Sequence, residues 1–290
     1  MSPPSPATAR PRAPRLLAIP PPSGAVALAC IDAWLDAGAP EAGLAVLLRE
    51  PGATPAALLD AHGRLAPLRR RCRDLGIPLL LGCDADALAA LFPDDAEGRS
   101  ADLRGSSVLA AQRSSSSPAP DARGHHDVDR PHDTARRSGL PAPDTLAELA
   151  GVQLRGDPSP LALADARARL PPAWILGRSC HGHPTGAHAL VDYTCLAPIF
   201  PPTTPQPGVE KTAIGLERLA AWASEPDAHL IALGGVGPAN AAACLQAGAR
   251  ALAGIGLFFG APARIAQDVA AVVTALQARD VQPLPPGQRP

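Results

Sequence analysis

Eight short apolar runs, each followed by a connecting stretch, set the strongest limit on what this chain can fold into. They are LLAI (16–19), GLAVLL (43–48), IPLLL (77–81), GVQL (151–154), WILG (174–177), YTCLA (193–197), LIAL (230–233) and ALAGI (251–255). Runs this short with no polar alternation suit strands buried on both faces, as in a parallel sheet covered by helices. Helical patterns fill most of the connections. In TPAALLDAHGRLAPLRRRCRDLG, Pro55 suits a first turn and Gly76 supplies a stop, which predicts a helix over 55–76. After Ser179, HGHPTGAHALV leaves room for only a short helix. Strict alternation implies an α/β protein with a parallel sheet, and eight such strands most often close into a (β/α)8 TIM barrel. An open doubly wound sheet is the alternative fold.

Proline marks what lies outside that pattern. The chain has 36 prolines in 290 residues, well above the usual share of about 5%. They gather at both ends and in one internal stretch. Residues 1–14 and 281–290 are expected to be disordered tails. Residues 93–145 lack periodicity and contain four consecutive serines, so they are expected to be a long disordered insertion between strands 3 and 4. The barrel is then expected over 15–280 with that interruption, leaving roughly 200 ordered residues, near the lower limit for eight strand–helix units.

Aromatic residues make up only 3% of the chain, so Leu, Ala, Val and Ile must build the core. A formal net charge of −1 gives no global attraction to nucleic acid or to an anionic membrane. Cysteines at 30, 72, 83, 180, 195 and 244 show neither a CxxC pair nor zinc-ligand spacing, and are expected to be small buried hydrophobes. The opening MSPPSPATARPRAPR lacks the apolar segment of a signal peptide, and no apolar run reaches the roughly 18 residues of a membrane span. A cytoplasmic protein is the expectation.

Glycines break the pattern directly after the seventh and eighth runs. Gly234, Gly235 and Gly237 follow LIAL, and Gly254 and Gly256 fall within or just after ALAGI. In a (β/α)8 barrel the loops after strands 7 and 8 frequently bind a phosphate, through backbone N–H groups that no Cβ obstructs. Tight turns alone are the competing explanation.

The segments GLAVLLRE (43–50), GVQLRGD (151–157), GRSCHG (177–182), VDYTCLAPIFPPTT (191–204) and IALGGVGPANAAACLQAGARALAGIGLFF (231–259) resemble, in this order, the thiamine phosphate synthase/TenI family. The match is continuous from about 174 to 260 and thin towards the N-terminus. The resemblance implies a barrel that holds a thiazole phosphate at its last two loops, with Gly234, Gly235, Ile255 and Gly256 around the phosphate and Thr204 in the sixth loop. It implies as partners small phosphorylated thiazole and pyrimidine ligands, with no nucleic acid and no membrane. The oligomeric state stays open.

Several positions depart from the family pattern. Where the family has Gln-Leu-Arg-Glu-Lys, this chain has Leu47, Leu48, Arg49, Glu50 and Pro51. The family's third-strand Asn-Asp-Arg falls on Gly82, Cys83 and Asp84, and its His-Leu-Gly-Gln-x-Asp on Gln153, Leu154, Arg155, Gly156, Asp157 and Pro158. Thr-x-Thr-Lys becomes Pro202, Thr203, Thr204 and Pro205, so two lysines that face pyrophosphate in the family are both prolines here. Arg49 and Arg155 are therefore the candidate pyrophosphate-binding cations, and Asp84 and Asp157 the candidate ligands of a magnesium ion if the coupling reaction is run. Lys211, the only lysine, suits a solvated helix start.

Ser179 and His181 fit the family's Ser-x-His after the fifth strand. The resemblance gives that histidine an acid–base role in the related thiazole tautomerases, a proton transfer that needs a group titrating near neutrality and no metal. Arg49, Ser179 and His181 are thus the candidate catalytic residues. His183, and His125, His126 and His132 of the insertion, are expected to be solvated. Three activities remain open: coupling of thiazole phosphate with hydroxymethylpyrimidine pyrophosphate to give thiamine phosphate, a tautomerase-like isomerisation, and non-catalytic binding of a phosphorylated ligand.

Overall fold

The computed structural model describes residues 12–22, 28–93, 141, 143–184, 186–201 and 212–281. Eight parallel strands pair in sequence order: β1 Leu16–Ala18, β2 Leu44–Leu48, β3 Leu79–Cys83, β4 Leu149–Leu154, β5 Ile175–Cys180, β6 Tyr193–Leu196, β7 Leu230–Ala232 and β8 Ala251–Gly254. β8 returns to β1, with Leu16 opposite Leu252 and Ala18 opposite Gly254. The sheet is therefore a closed (β/α)8 barrel, and the open-sheet alternative is excluded.

The strands are apolar throughout because both faces are buried. Leu17, Ala45, Leu47, Leu80, Ile175, Tyr193, Cys195, Ile231, Ala251 and Ala253 fill the barrel interior. Their neighbours Leu16, Val46, Leu48, Leu79, Leu81 and Leu252 pack outward into the helix layer. Space for the single tyrosine comes from Gly177, where an added Cβ would lie 2.1 Å from Tyr193 Cζ. A side chain at Gly151 would strike the backbone of Ile175, 2.2 Å from its carbonyl oxygen.

Among the described residues the helices are α1 Ala29–Asp36, α2 Pro55–Leu59, α3 Ala66–Asp74, α4 Ala85–Leu91, α5 Pro143–Leu146, α6 Pro160–Arg169, α7 Gly215–Ala223, α8 Pro238–Gln246 and α9 Pro262–Val281. A 3-10 turn, His188–Leu190, lies between β5 and β6, in keeping with the short connection. The helix expected over 55–76 is instead two. Asp60 leaves the helical conformation (φ −56°, ψ 131°) and its Oδ1 accepts the His62 N–H at 2.9 Å, and Pro67 suits the first turn of α3. Gly76 does end α3, at φ +67°.

Two boundaries also move. α5 lies partly inside the stretch expected to be an insertion over 93–145; the rest of that stretch, with His125, His126 and His132, lies outside the described residues apart from Pro93 and Leu140's successor at 141. α9 runs one residue into the expected C-terminal tail, because Val269, Val272, Val273 and Leu276 give it a continuous buried stripe. All six cysteines are unpaired and buried. Among the described residues no helix is long and apolar enough to cross a membrane.

Candidate functional site

The C-terminal end of the barrel collects most of the chemistry-bearing residues. Arg49 follows β2 and continues the inward parity of Ala45 and Leu47, while Gly82 beside it has no side chain to compete for the space: a Cβ there would lie 3.3 Å from Arg49 Cβ. Arg155, just past β4, donates its backbone N–H to Cys83 O at 2.9 Å. Burial lowers the Arg49 pKa; the Cys195 thiol opposes that shift and the Arg155 guanidinium adds to it. Among the described residues Arg49 has no hydrogen-bond or ion-pair partner.

Its neighbours are differently engaged. Glu50 pairs with Arg64, so the carboxylate next to Arg49 is already used. Arg155 reaches Glu50 O at 3.5 Å and lies 3.7 Å from Asp84 Oδ2, and its buried Nε has no acceptor. The two guanidiniums thus sense each other, and the carboxylate 3.7 Å from Arg155 is largely exposed.

Asp84 and Asp157 do not fit a shared magnesium ion as they stand. Asp84 is the N-cap of α4, its Oδ1 accepting Ala87 N–H at 2.8 Å. Asp157 has both oxygens on His181: Oδ1 accepts the backbone N–H at 2.8 Å and Oδ2 lies 3.1 Å from Nδ1. No group of three metal-ligating side chains occurs among the described residues. The left-handed turn at Gly156 (φ +80°) and Asp157 (φ +52°) aims the carboxylate at the β5 loop.

Ser179 is held from inside the barrel. Tyr193 donates its hydroxyl to Gln153 Oε1 at 2.9 Å, and Gln153 Nε2 donates to Ser179 Oγ at 2.9 Å. Gln153 is fully buried, and a polar residue in the middle of GVQL was the signal that could have singled it out. A cavity of about 290 Å3 opens next to this point, lined by Asp157, Ser159, Arg178, Ser179, Cys180 and His183. Arg178 forms part of its wall, buried and bonded through Nε to Thr194 Oγ1 at 3.0 Å and through Nη2 to Pro184 O at 3.0 Å. His183, expected to be solvated, is half exposed but pairs with Glu225 at 2.7 Å and meets the Trp222 ring edge-on.

The glycine loops leave β7 and β8 side by side, since Ala232 pairs with Leu252. Gly234 and Gly235 adopt φ +91° and +64°, and added Cβ atoms would lie 2.7 Å from Pro198 Cβ and from Phe200 Cβ. Close packing on the loop after β6 therefore demands glycine at both. Gly256 is exposed with nothing within 4 Å of a Cβ position. Ile255 lends its carbonyl to Phe258 and Phe259, and Gly256 O accepts from Arg264 Nη2 at 2.8 Å. Asn240 ties the first loop by accepting Gly237 N–H and donating to Gly235 O, each at 2.9 Å. Among the described residues the N–H groups of Gly235, Val236, Gly256 and Leu257 have no acceptor. Thr204 and Lys211 lie outside the described residues.

This arrangement can bind an anion at the glycine loops, hold a second anion near Arg49 and Arg155, and move a proton at His181. Residues 145–258 match the family model described as thiamine monophosphate synthase. The thiamine-phosphate synthase of Myxococcus xanthus is 34% identical over 111 residues, 37% of this chain and 49% of that protein. That of Mycobacterium bovis is 38% identical over 88 residues, 29% of this chain and 39% of that protein. The chain thus spans about half the length, or less, of the curated relatives it matches. A thiamine phosphate pyrophosphorylase from Pyrococcus furiosus superposes with a TM-score of 0.54 at 17% identity, covering 91% of this chain and 96% of that one, a likeness of fold.

Proposed function

We propose that this chain, a diverged member of the thiamine phosphate synthase/TenI family through its residues 145–258, binds a thiazole phosphate and couples it to hydroxymethylpyrimidine pyrophosphate. The products are thiamine phosphate and pyrophosphate. The observation that carries this reading is the pair Arg49 and Arg155 at the barrel mouth, with Arg49 partly buried and without an acid partner among the described residues. An unpaired, desolvated guanidinium is costly unless an anion completes it.

In this reading the N–H groups of Gly235, Val236, Gly256 and Leu257 bind the thiazole phosphate. Arg49 and Arg155 bind the pyrophosphate of the second substrate and stabilise the charge that develops as its C–O bond breaks. They take over from the two lysines replaced by Pro51 and Pro205. Because Asp84 and Asp157 have other partners, no step is assigned to magnesium. A cytoplasmic location accords with small phosphorylated substrates and forms part of the proposal.

Calorimetric titration with thiazole phosphate, then with the pyrimidine pyrophosphate with and without magnesium, followed by a turnover assay, tests it. Binding of both ligands and formation of thiamine phosphate are expected; failure to bind the pyrophosphate ligand under either condition overturns coupling. The His181–Asp157 contact favours a second reading, isomerisation of the thiazole ring. It predicts exchange of a ring proton with D2O in the presence of the thiazole phosphate alone, abolished by His181→Ala.

A further inference from the structure

The opposite end of the barrel carries a cluster that the mouth does not explain. Arg15, His229 and Arg250 are the residues immediately before β1, β7 and β8, three neighbouring strands of the closed sheet. Backbone bonds fix their relation: Arg250 N–H donates to Leu230 O at 2.8 Å, and Leu252 N–H to Arg15 O at 3.0 Å. The last turn of α9 reaches the same rim. Arg15 grips it, donating to both oxygens of Asp280 at 2.7 and 2.9 Å and to Leu276 O at 3.2 Å, which brings Arg279 to the cluster.

The acids in this region are spoken for. Asp280 is chelated by Arg15. Asp192, which faces His229 from the start of β6, accepts from Arg167 Nη2 and from Leu176 N–H, both at 2.7 Å. Among the described residues Arg250 and Arg279 have no hydrogen-bond or ion-pair partner, although Arg279 is partly buried. The Nε2 of His229 is buried and also has none. Two guanidiniums without a bonded partner among the described residues and an orphaned imidazole nitrogen at one rim are an incomplete hydrogen-bonding set, and a planar fork of N–H donors suits an oxyanion.

We propose that this N-terminal rim, between the starts of β7, β8 and β1 and the end of α9, is a second binding site, for a small oxyanion of the phosphate class. Arg250 and Arg279 supply the charge-assisted bonds and His229 Nε2 donates the third. The imidazole is neutral at pH 7, since burial, then Arg250, Arg279 and Arg15, hold its pKa down at about 4. A neutral ring protonated on Nε2 is a donor. This site is independent of the mouth and of the reaction proposed there.

Inorganic phosphate is the probe, titrated at constant ionic strength made up with chloride, with the histidine ring resonances followed by NMR. The expected result is a saturable shift of the His229 signals that chloride does not reproduce. It weakens at least about tenfold in Arg250→Gln/Arg279→Gln, the loss of one or more bonds to a charged group, and is unchanged in Arg49→Ala. If the double variant does not fold, Arg250→Ala alone serves, because the exposed Arg250 side chain makes no bond among the described residues. An unmoved His229, or an equal response to chloride, overturns the proposal.

Discussion

Asp157 holds His181 at two points, one carboxylate oxygen on its backbone N–H at 2.8 Å and the other 3.1 Å from Nδ1. This contact favours the tautomer with the proton on Nδ1 and leaves Nε2 as the ring atom that can exchange a proton with a ligand. Asparagine tolerates the φ of +52° at this position. Asp157→Asn is therefore expected to fold normally and to slow His181-dependent ring-proton exchange about tenfold or more. The same variant is expected to leave the coupling reaction nearly unchanged, so measuring both rates separates proton transfer from coupling.

Arg49→Ala removes a partly buried cation that has no acid partner among the described residues. Affinity for the pyrimidine pyrophosphate is expected to fall about 10- to 100-fold, the equivalent of one or two bonds to a charged group. The melting temperature is expected to stay level or rise, because the desolvated charge is gone. Calorimetry and thermal melts read the two effects on one sample, and unchanged affinity refutes the role given to Arg49.

The two glycine loops respond differently to an added methyl group. Gly235→Ala forces a Cβ to within 2.7 Å of Phe200 Cβ at a φ of +64°, and is expected to cost about 1–3 kcal/mol of stability. Gly256→Ala meets nothing within 4 Å. It is expected to keep the melting temperature while weakening thiazole phosphate binding, because the methyl stands beside the open N–H groups.

His229 makes stability depend on pH in phosphate-free buffer. Its folded pKa of about 4 lies below the ordinary 6.5, so between those values the unfolded chain binds the extra proton. Its contribution is complete above about pH 6.5 and is lost as the pH falls towards 4. Unfolding free energy from urea titrations is expected to be about 2 kcal/mol lower at pH 5 than at pH 7 on this account. His229→Gln is expected to flatten that difference.

Much of the fold was legible because the strands are buried on both faces. LLAI, GLAVLL and the six later runs are apolar for that reason, and their observed bounds differ from the expected ones by a few residues. One helix over 55–76 is what the pattern implies because a helical spacing of apolar residues continues across Asp60, whose side chain turns the backbone locally. Gly234 and Gly235 were legible as turn glycines, whereas their packing on Pro198 and Phe200 depends on a loop more than 30 residues away.

Sequence alone determined the strand number, their order and the glycine-rich ends of β7 and β8, since these follow from local patterns of burial and backbone freedom. Tertiary structure decided the chemistry of the rims. Glu50 is taken by Arg64 while adjacent Arg49 is left without an acid among the described residues, Asp157 turns to His181, and Arg15 reaches Asp280 only when α9 closes beneath the barrel. Each outcome depends on which face of a strand end a side chain occupies and which distant segment arrives there, and closure of the barrel fixes both.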